Sequence, residues 1–191
     1  MGELTIRRAE RGDAADLAIL VDIASHGFAS WFWHGAVLDG SLDTVMEKGR
    51  MKMRDDPAEG WRAAVVAEWN GDVAGTLIAY RVDSSMVDVA ASHPVVEPIL
   101  ALQRQVIGNR FVDSLGVYRE HRGKGIGRAL LDHELGKAGN TSTSLITESH
   151  NETALSLYRS SGFREQSRAP AIPLSADQKR HDWVLLTRNP A

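Results

Sequence analysis

Residues 115 to 131 read Leu115-Gly116-Val117-Tyr118-Arg119-Glu120-His121-Arg122-Gly123-Lys124-Gly125-Ile126-Gly127-Arg128-Ala129-Leu130-Leu131, a strand that runs into a glycine-rich turn and then directly into an amphipathic helix. Gly123, Gly125 and Gly127 stand at alternate positions and let the backbone approach a ligand closely. The first amides of the new helix point outward with the positive end of the helix dipole behind them, which makes the turn an anion cradle. Arg122, Lys124 and Arg128 add positive charge, which a diphosphate would use and a neutral ligand would not. Two familiar phosphate motifs are excluded. The nucleoside-triphosphate loop needs Lys and then Ser or Thr near its last glycine, and Gly127 is followed by Arg128-Ala129. The dinucleotide fingerprint needs GxGxxG, and the spacing here is GxGxG.

The spacing that is present is RxxGxG, at Arg122, Gly125 and Gly127. One strand later comes Asn151-Glu152-Thr153-Ala154-Leu155-Ser156-Leu157-Tyr158-Arg159-Ser160-Ser161-Gly162-Phe163. On these two blocks, in this order, residues 111–163 resemble the GCN5-related N-acetyltransferase (GNAT) superfamily. The resemblance implies an α/β (α+β) fold with a central mixed, mostly antiparallel sheet of about seven strands, splayed fourth and fifth strands and flanking helices. It also implies acetyl-CoA as acyl donor, its pantetheine arm lying between the splayed strands along Leu115, Gly116 and Val117. Its pyrophosphate would sit on the turn formed by Arg122, Gly123, Lys124, Gly125, Gly127 and Arg128. Asn151 and Ala154 would border the arm from the other side, with Tyr158 beside it.

Acetyl transfer to an amine requires a neutral amine, a donor for the thioester oxygen and a proton for the departing thiolate. By resemblance, Tyr158 takes the general-acid position, where a phenol of pKa about 10 protonates a thiolate of comparable basicity. The main-chain amide near Val117 is the implied donor to the thioester oxygen. Asp113 shares a strand face with Phe111, Leu115 and Val117 and is the leading base or water-relay residue. A carboxylate of pKa near 4 is a weak base for an ammonium, so it would act through water or by orienting the amine; structural bonding is the alternative reading of this side chain. Glu148, on the fifth strand, is the reserve candidate. The seven histidines show no HxH, HxxxH or HExxH spacing, so no metal site is expected. Ser114 and Ser149 lack a nucleophile-elbow context.

Working outward, Leu4 to Arg8 alternates as a short strand, and Asp13 is placed to cap a helix that carries Leu17, Leu20, Val21 and Ala24. His26 to Leu38 is aromatic-rich, and a helix is expected from Leu42 to about Met53, before Pro57. Met46 and Met53 read as core or groove lining. Trp61 to Trp69 and Val73 to Val82 are strands joined by Asn70-Gly71, a tight hairpin turn. Residues 83–110, broken by Pro94 and Pro98, read as a helical insertion. A strand at Phe111–Val117, a helix at Gly125–Lys137, a strand at Ser144–Ser149, a helix at Glu152–Ser160 and a hairpin from Phe163–Arg168 and Asp182–Thr187 complete the order. No repeat or long linker divides residues 1–191, which suits a single domain.

With 43% hydrophobic and 25% charged residues, the composition is that of an ordinary globular protein. No apolar run reaches the roughly 20 residues that cross a bilayer. Zero cysteines exclude disulfides and thiolate catalysis, and with no secretory leader at the N-terminus they suggest the cytoplasm. A net charge of −3 gives no global field for nucleic acid. The expectation is therefore an acetyl-CoA-dependent N-acetyltransferase that acts by direct attack of a primary amine, on a small molecule. A protein N-acetyltransferase and a non-catalytic acyl-CoA-binding regulatory module are the alternatives. The aromatic stretch and the insertion, with Val95, Val96, Ile99, Leu100 and Leu102, suggest a homodimer.

Overall fold

The computed structural model describes residues 2–56, 60–175 and 179–190. Among them are seven strands: β1 (Leu4–Arg8), β2 (Ala64–Trp69), β3 (Asp72–Arg81), β4 (Arg110–Val117), β5 (Thr143–Glu148), β6 (Arg164–Pro170) and β7 (Asp182–Arg188). The helices are α1 (Ala14–Ala24), α2 (Phe28–Trp33), α3 (Gly35–Leu38), α4 (Val45–Asp55), α5 (Glu97–Gln103), α6 (Ile126–Ala138) and α7 (Glu152–Ser160). Strand order is β1-β2-β3-β4-β5-β7-β6. The β4–β5 ladder is parallel, whereas β1–β2, β2–β3, β5–β7 and β6–β7 are antiparallel, so the sheet is mixed and mostly antiparallel, as expected. The parallel ladder joins Arg110–Val112 to Thr143–Leu145. Contacts group the chain into two compact units, Met1–Tyr80 with Asp113–Glu134, and Arg81–Val112 with Leu135–Ala191.

In the first unit the β2–β3 hairpin turns through Asn70 and Gly71, both at positive φ (54° and 90°), the conformation that a tight hairpin demands. Its core gathers Leu17, Ala18 and Val21 of α1, Trp33 of α2, Met53 of α4, Val66 of β2 and Ile78 of β3. Trp33 fills the space left by Gly49, where a Cβ would come within 2.3 Å of the indole ring. Several local expectations shift. Asp13 does not cap α1; its carboxylate accepts the Glu10 N–H (2.6 Å) and two bonds from Arg7 (2.8 and 3.0 Å), because a full guanidinium outcompetes one backbone donor. The helix expected from Leu42 starts at Val45, since the Thr44 hydroxyl accepts the Glu47 N–H and acts as N-cap. Trp61–Ala63 is a 3-10 turn and not strand. Gly60 before it is wedged against the Met53 and Asp56 carbonyls, each 2.5 Å from where a Cβ would stand. Pro57 lies outside the described residues.

In the second unit, residues 83–110 leave and rejoin the sheet between two close bonds, Val82 N–H to Asn109 O and Gly108 N–H to Val82 O. The excursion holds 3-10 turns at Ser84–Val87, Pro94–Val96 and Arg104–Val106 around α5. Leu100, Leu102 and Val106 are buried, and α5 leans on β6 and β7. Val184, Leu185 and Leu186 are buried in β7, which lies between β5 and β6.

Candidate active site

The turn after β4 has the geometry of an anion cradle. Gly123 and Gly125 lie at φ 76° and 82°, and a Cβ at either would meet no atom within 4 Å. Arg122, Gly123, Lys124 and Gly125 are all exposed. The helix expected from Gly125 begins instead at Ile126, because Gly125 at positive φ is outside the helical region. Gly127 and Arg128 fall in the first turn of α6, where N–H groups have no partner within the helix itself. Arg122 Nε donates to the Val117 carbonyl (3.0 Å), which closes the turn onto the end of β4. Lys124 Nζ stands 5.1 Å from the centre of the Trp69 ring and 3.3 Å from His121 Nδ1.

Tyr118 anchors the start of the turn, a role not evident in the sequence. Its hydroxyl donates to Asp16 of α1 at 2.6 Å, and its N–H to the Ala74 carbonyl. Burial, with the Asp16 carboxylate beside it, raises the Tyr118 phenol above its ordinary value, so it stays a neutral donor. The contact spans 102 residues of sequence, which is why no local signal points to it.

Along β4, burial alternates from Val112 onward: Val112, Ser114 and Gly116 face inward, and Asp113, Leu115 and Val117 share the more open face. Asp113 is exposed and accepts hydrogen bonds from the hydroxyls of Tyr80 (3.3 Å) and Ser114 (2.9 Å), one on each carboxylate oxygen. Gly116 meets α1: a Cβ there would lie 2.3 Å from the Leu20 carbonyl oxygen. Gly75 is as confined, with a Cβ 2.8 Å from the Gly116 carbonyl.

In the second unit, α7 shows what its sequence pattern does locally. Asn151 is its N-cap, and the side-chain oxygen accepts the Ala154 N–H at 3.2 Å. Gly162, at φ 89°, ends the helix and lets Phe163 N–H return to the Tyr158 carbonyl at 3.1 Å. Phe163 then packs edge-on against Tyr158, with ring centres 6.0 Å apart. Tyr158 is buried, and desolvation pushes its phenol up to about 12. Ser149 Oγ accepts the Asp182 N–H at 3.0 Å. Glu148 lies at the end of β5 with only 12% of its side chain exposed. Among the described residues no three His, Asp or Glu groups are placed to hold one metal ion.

Comparison with solved structures gives the fold. An N-acetyltransferase from Staphylococcus aureus superposes with a TM-score of 0.65 at 21% identity, over 96% of this chain and 99% of its own. A Corynebacterium glutamicum protein described as histone acetyltransferase HPA2 and related acetyltransferase gives 0.64 at 20% identity, over 100% and 98%. The Salmonella typhimurium yncA structure, with its cofactor acetyl-CoA, gives 0.59 at 21% identity, over 98% and 94%. No curated protein matches the sequence. The family model described as "Acetyltransferase (GNAT) family" matches residues 29–163, more than half of the chain, and the chain therefore belongs to that family.

Proposed function

We propose that residues 1–191 act as one N-acetyltransferase domain that moves an acetyl group from acetyl-CoA to the primary amine of a small molecule, by direct attack. The observation that carries this reading is the turn between β4 and α6: two glycines at positive φ with open space above them, two exposed cations and the head of a helix. A diphosphate calls for that combination of close backbone approach, N–H donors and positive charge. Acetyl-CoA, when bound, supplies an activated acetyl thioester.

The chain's own groups would do the rest. Backbone amides from Gly123 to Arg128, with the side chains of Arg122, Lys124 and Arg128, hold the diphosphate. The backbone of Leu115, Gly116 and Val117 takes the arm, and the amide near Val117 donates to the thioester oxygen. Asn151 and Ala154 border the arm. Tyr158, held neutral by burial, is the proton donor to the leaving sulfur. Asp113, fixed by the Tyr80 and Ser114 hydroxyls, orients the amine or a relay water. Asp113 lies in the first unit and Tyr158 in the second. Zero cysteines suit the reducing cytoplasm as its place of work.

The test is acetyl-CoA binding by calorimetry, then free-thiol release in the same sample across a panel of amines. Binding with amine-dependent release supports the reading. Binding without release for any amine favours an acyl-CoA sensor, and no binding overturns the cradle.

A further inference from the structure

Within the first unit, an indole from a distant stretch of the chain reaches the anion cradle. Trp69 ends β2, where it pairs with Leu4 of β1 and Asp72 of β3. The hairpin that follows lies against the turn after β4, because the Tyr118 N–H reaches the Ala74 carbonyl of β3 at 2.9 Å. Lys124 Nζ stands over the Trp69 ring, 5.1 Å from its centre, and 3.3 Å from His121 Nδ1. Lys124 is itself flanked by Gly123 and Gly125, both at positive φ.

The indole is fixed by its own surroundings. Gly2 lies so close that a Cβ there would stand 2.2 Å from the ring, and a side chain at that position would push the ring aside. Beside it the Glu3 N–H donates to Asn70 Oδ1 and the Asn70 N–H donates to the Glu3 carbonyl, both at 2.9 Å. The half-buried ring is therefore a firm surface. Lys124 is the opposite case, an exposed side chain on a long flexible stem with permissive backbone on both sides. The face of an aromatic ring attracts a cation, and an imidazole Nδ1 that carries no proton accepts an N–H from an ammonium. Together these two contacts restrict the Lys124 charge to one place beside the cradle. Arg122 is oriented separately, through its Nε bond to the Val117 carbonyl at 3.0 Å. A cation whose freedom is already reduced loses less of it when an anion binds.

We propose that Trp69 is a positioning residue of the diphosphate site: its indole, together with His121, holds the Lys124 ammonium where the diphosphate of acetyl-CoA binds. This rests on the acetyltransferase reading and adds to the cofactor site a residue of the β2–β3 hairpin, which acts through Lys124.

The test is a double-mutant cycle on Trp69 and Lys124, read by calorimetry with acetyl-CoA and with acetyl-pantetheine, which has no diphosphate. Lys124→Gln should weaken acetyl-CoA binding about tenfold. Trp69→Leu should weaken it about threefold, and Trp69→Phe, which keeps an aromatic face, by less. The double variant should bind acetyl-CoA no worse than Lys124→Gln alone, and every variant should hold acetyl-pantetheine as the parent does. A second measurement needs no substitution of Trp69: in the parent, the ring current of the indole should shift the Lys124 ε-methylene protons upfield, and the shift should persist with acetyl-CoA bound. Additive losses in the cycle, an acetyl-CoA affinity unchanged by Trp69→Leu, an equal loss for acetyl-pantetheine, or an upfield shift that vanishes on binding would overturn the proposal while the transferase reading stands. A parent protein that binds no acetyl-CoA would remove the cradle reading, and this proposal with it.

Discussion

At the scale of the residue, Tyr158 and Gly116 are held by close packing at positions proposed to meet the cofactor. Tyr158 is buried against Phe163, and its phenol is pushed up to about 12, so it holds its proton throughout the neutral range. Replacement by Phe keeps the ring packing and removes only the hydroxyl. Tyr158→Phe should therefore lower kcat by a factor of about 100 or more while sparing acetyl-CoA affinity, and a kcat equal to the parent's would take the tyrosine out of the mechanism. Gly116 is expected from the resemblance to lie along the pantetheine arm, and the structure adds a reason of its own for glycine: the Leu20 carbonyl occupies the place of a side chain. Gly116→Ala should push α1 off β4 and cost about 1–3 kcal/mol, measured as a lower midpoint in urea; an unchanged midpoint would mean that α1 yields freely.

At the scale of the element, the turn from Tyr118 to Ile126 is a strand-to-helix junction fixed at both ends. Tyr118 ties its start to α1 and to the Ala74 carbonyl, Arg122 ties its middle to Val117, and positive φ at Gly123 and Gly125 bends it into the head of α6. A charged hydrogen bond is worth about 1.5–3 kcal/mol. Arg122→Glu should accordingly weaken acetyl-CoA binding more than tenfold and leave acetyl-pantetheine, which has no diphosphate, at the parent's affinity. Equal losses for the two ligands in calorimetry would mean that the variant disturbs the strand and not a phosphate contact. The element α7 is defined as tightly, since Asn151 caps its start and Gly162 reverses its end. The pattern shared with the family along 151–163 is, read physically, a capped helix followed by a ring that folds back on it.

At the scale of the whole molecule, the raised Tyr158 value becomes a statement about stability. The group is neutral when protonated, and folding favours that form. Its contribution is complete below the unfolded phenol value of about 10 and is lost as pH climbs from there toward about 12. The rise from about 10 to about 12 bounds the loss at about 3 kcal/mol. Denaturation midpoints should fall across that alkaline window in the parent and fall less in Tyr158→Phe; parallel curves would mean that the phenol is not desolvated. The exposed apolar residues Ile19, Trp31, Phe32 and Leu38 bear on assembly. A homodimer is expected, with a sedimentation mass twice that of one chain, and a concentration-independent monomer would contradict it.

What depends on neighbours along the chain could be read from the residues alone. The RxxGxG turn, the Asn70-Gly71 hairpin, the alternation that places Asp113 with Leu115 and Val117, and the run from Asn151 to Phe163 are all set by φ preference, capping and period, each acting within a few residues. The family and the seven-stranded mixed sheet follow from them. Which local preference yields when partners come from afar is settled by packing in three dimensions. Asp13 gives up capping α1 because Arg7 offers two stronger bonds, and the second strand starts late because Gly60 is wedged against α4's end. Tyr118 finds Asp16 across 102 residues, and His181 finds Glu148 only through the β5–β7 register. These contacts carry no spacing that a sequence can display, since they arise where separately encoded elements are packed together.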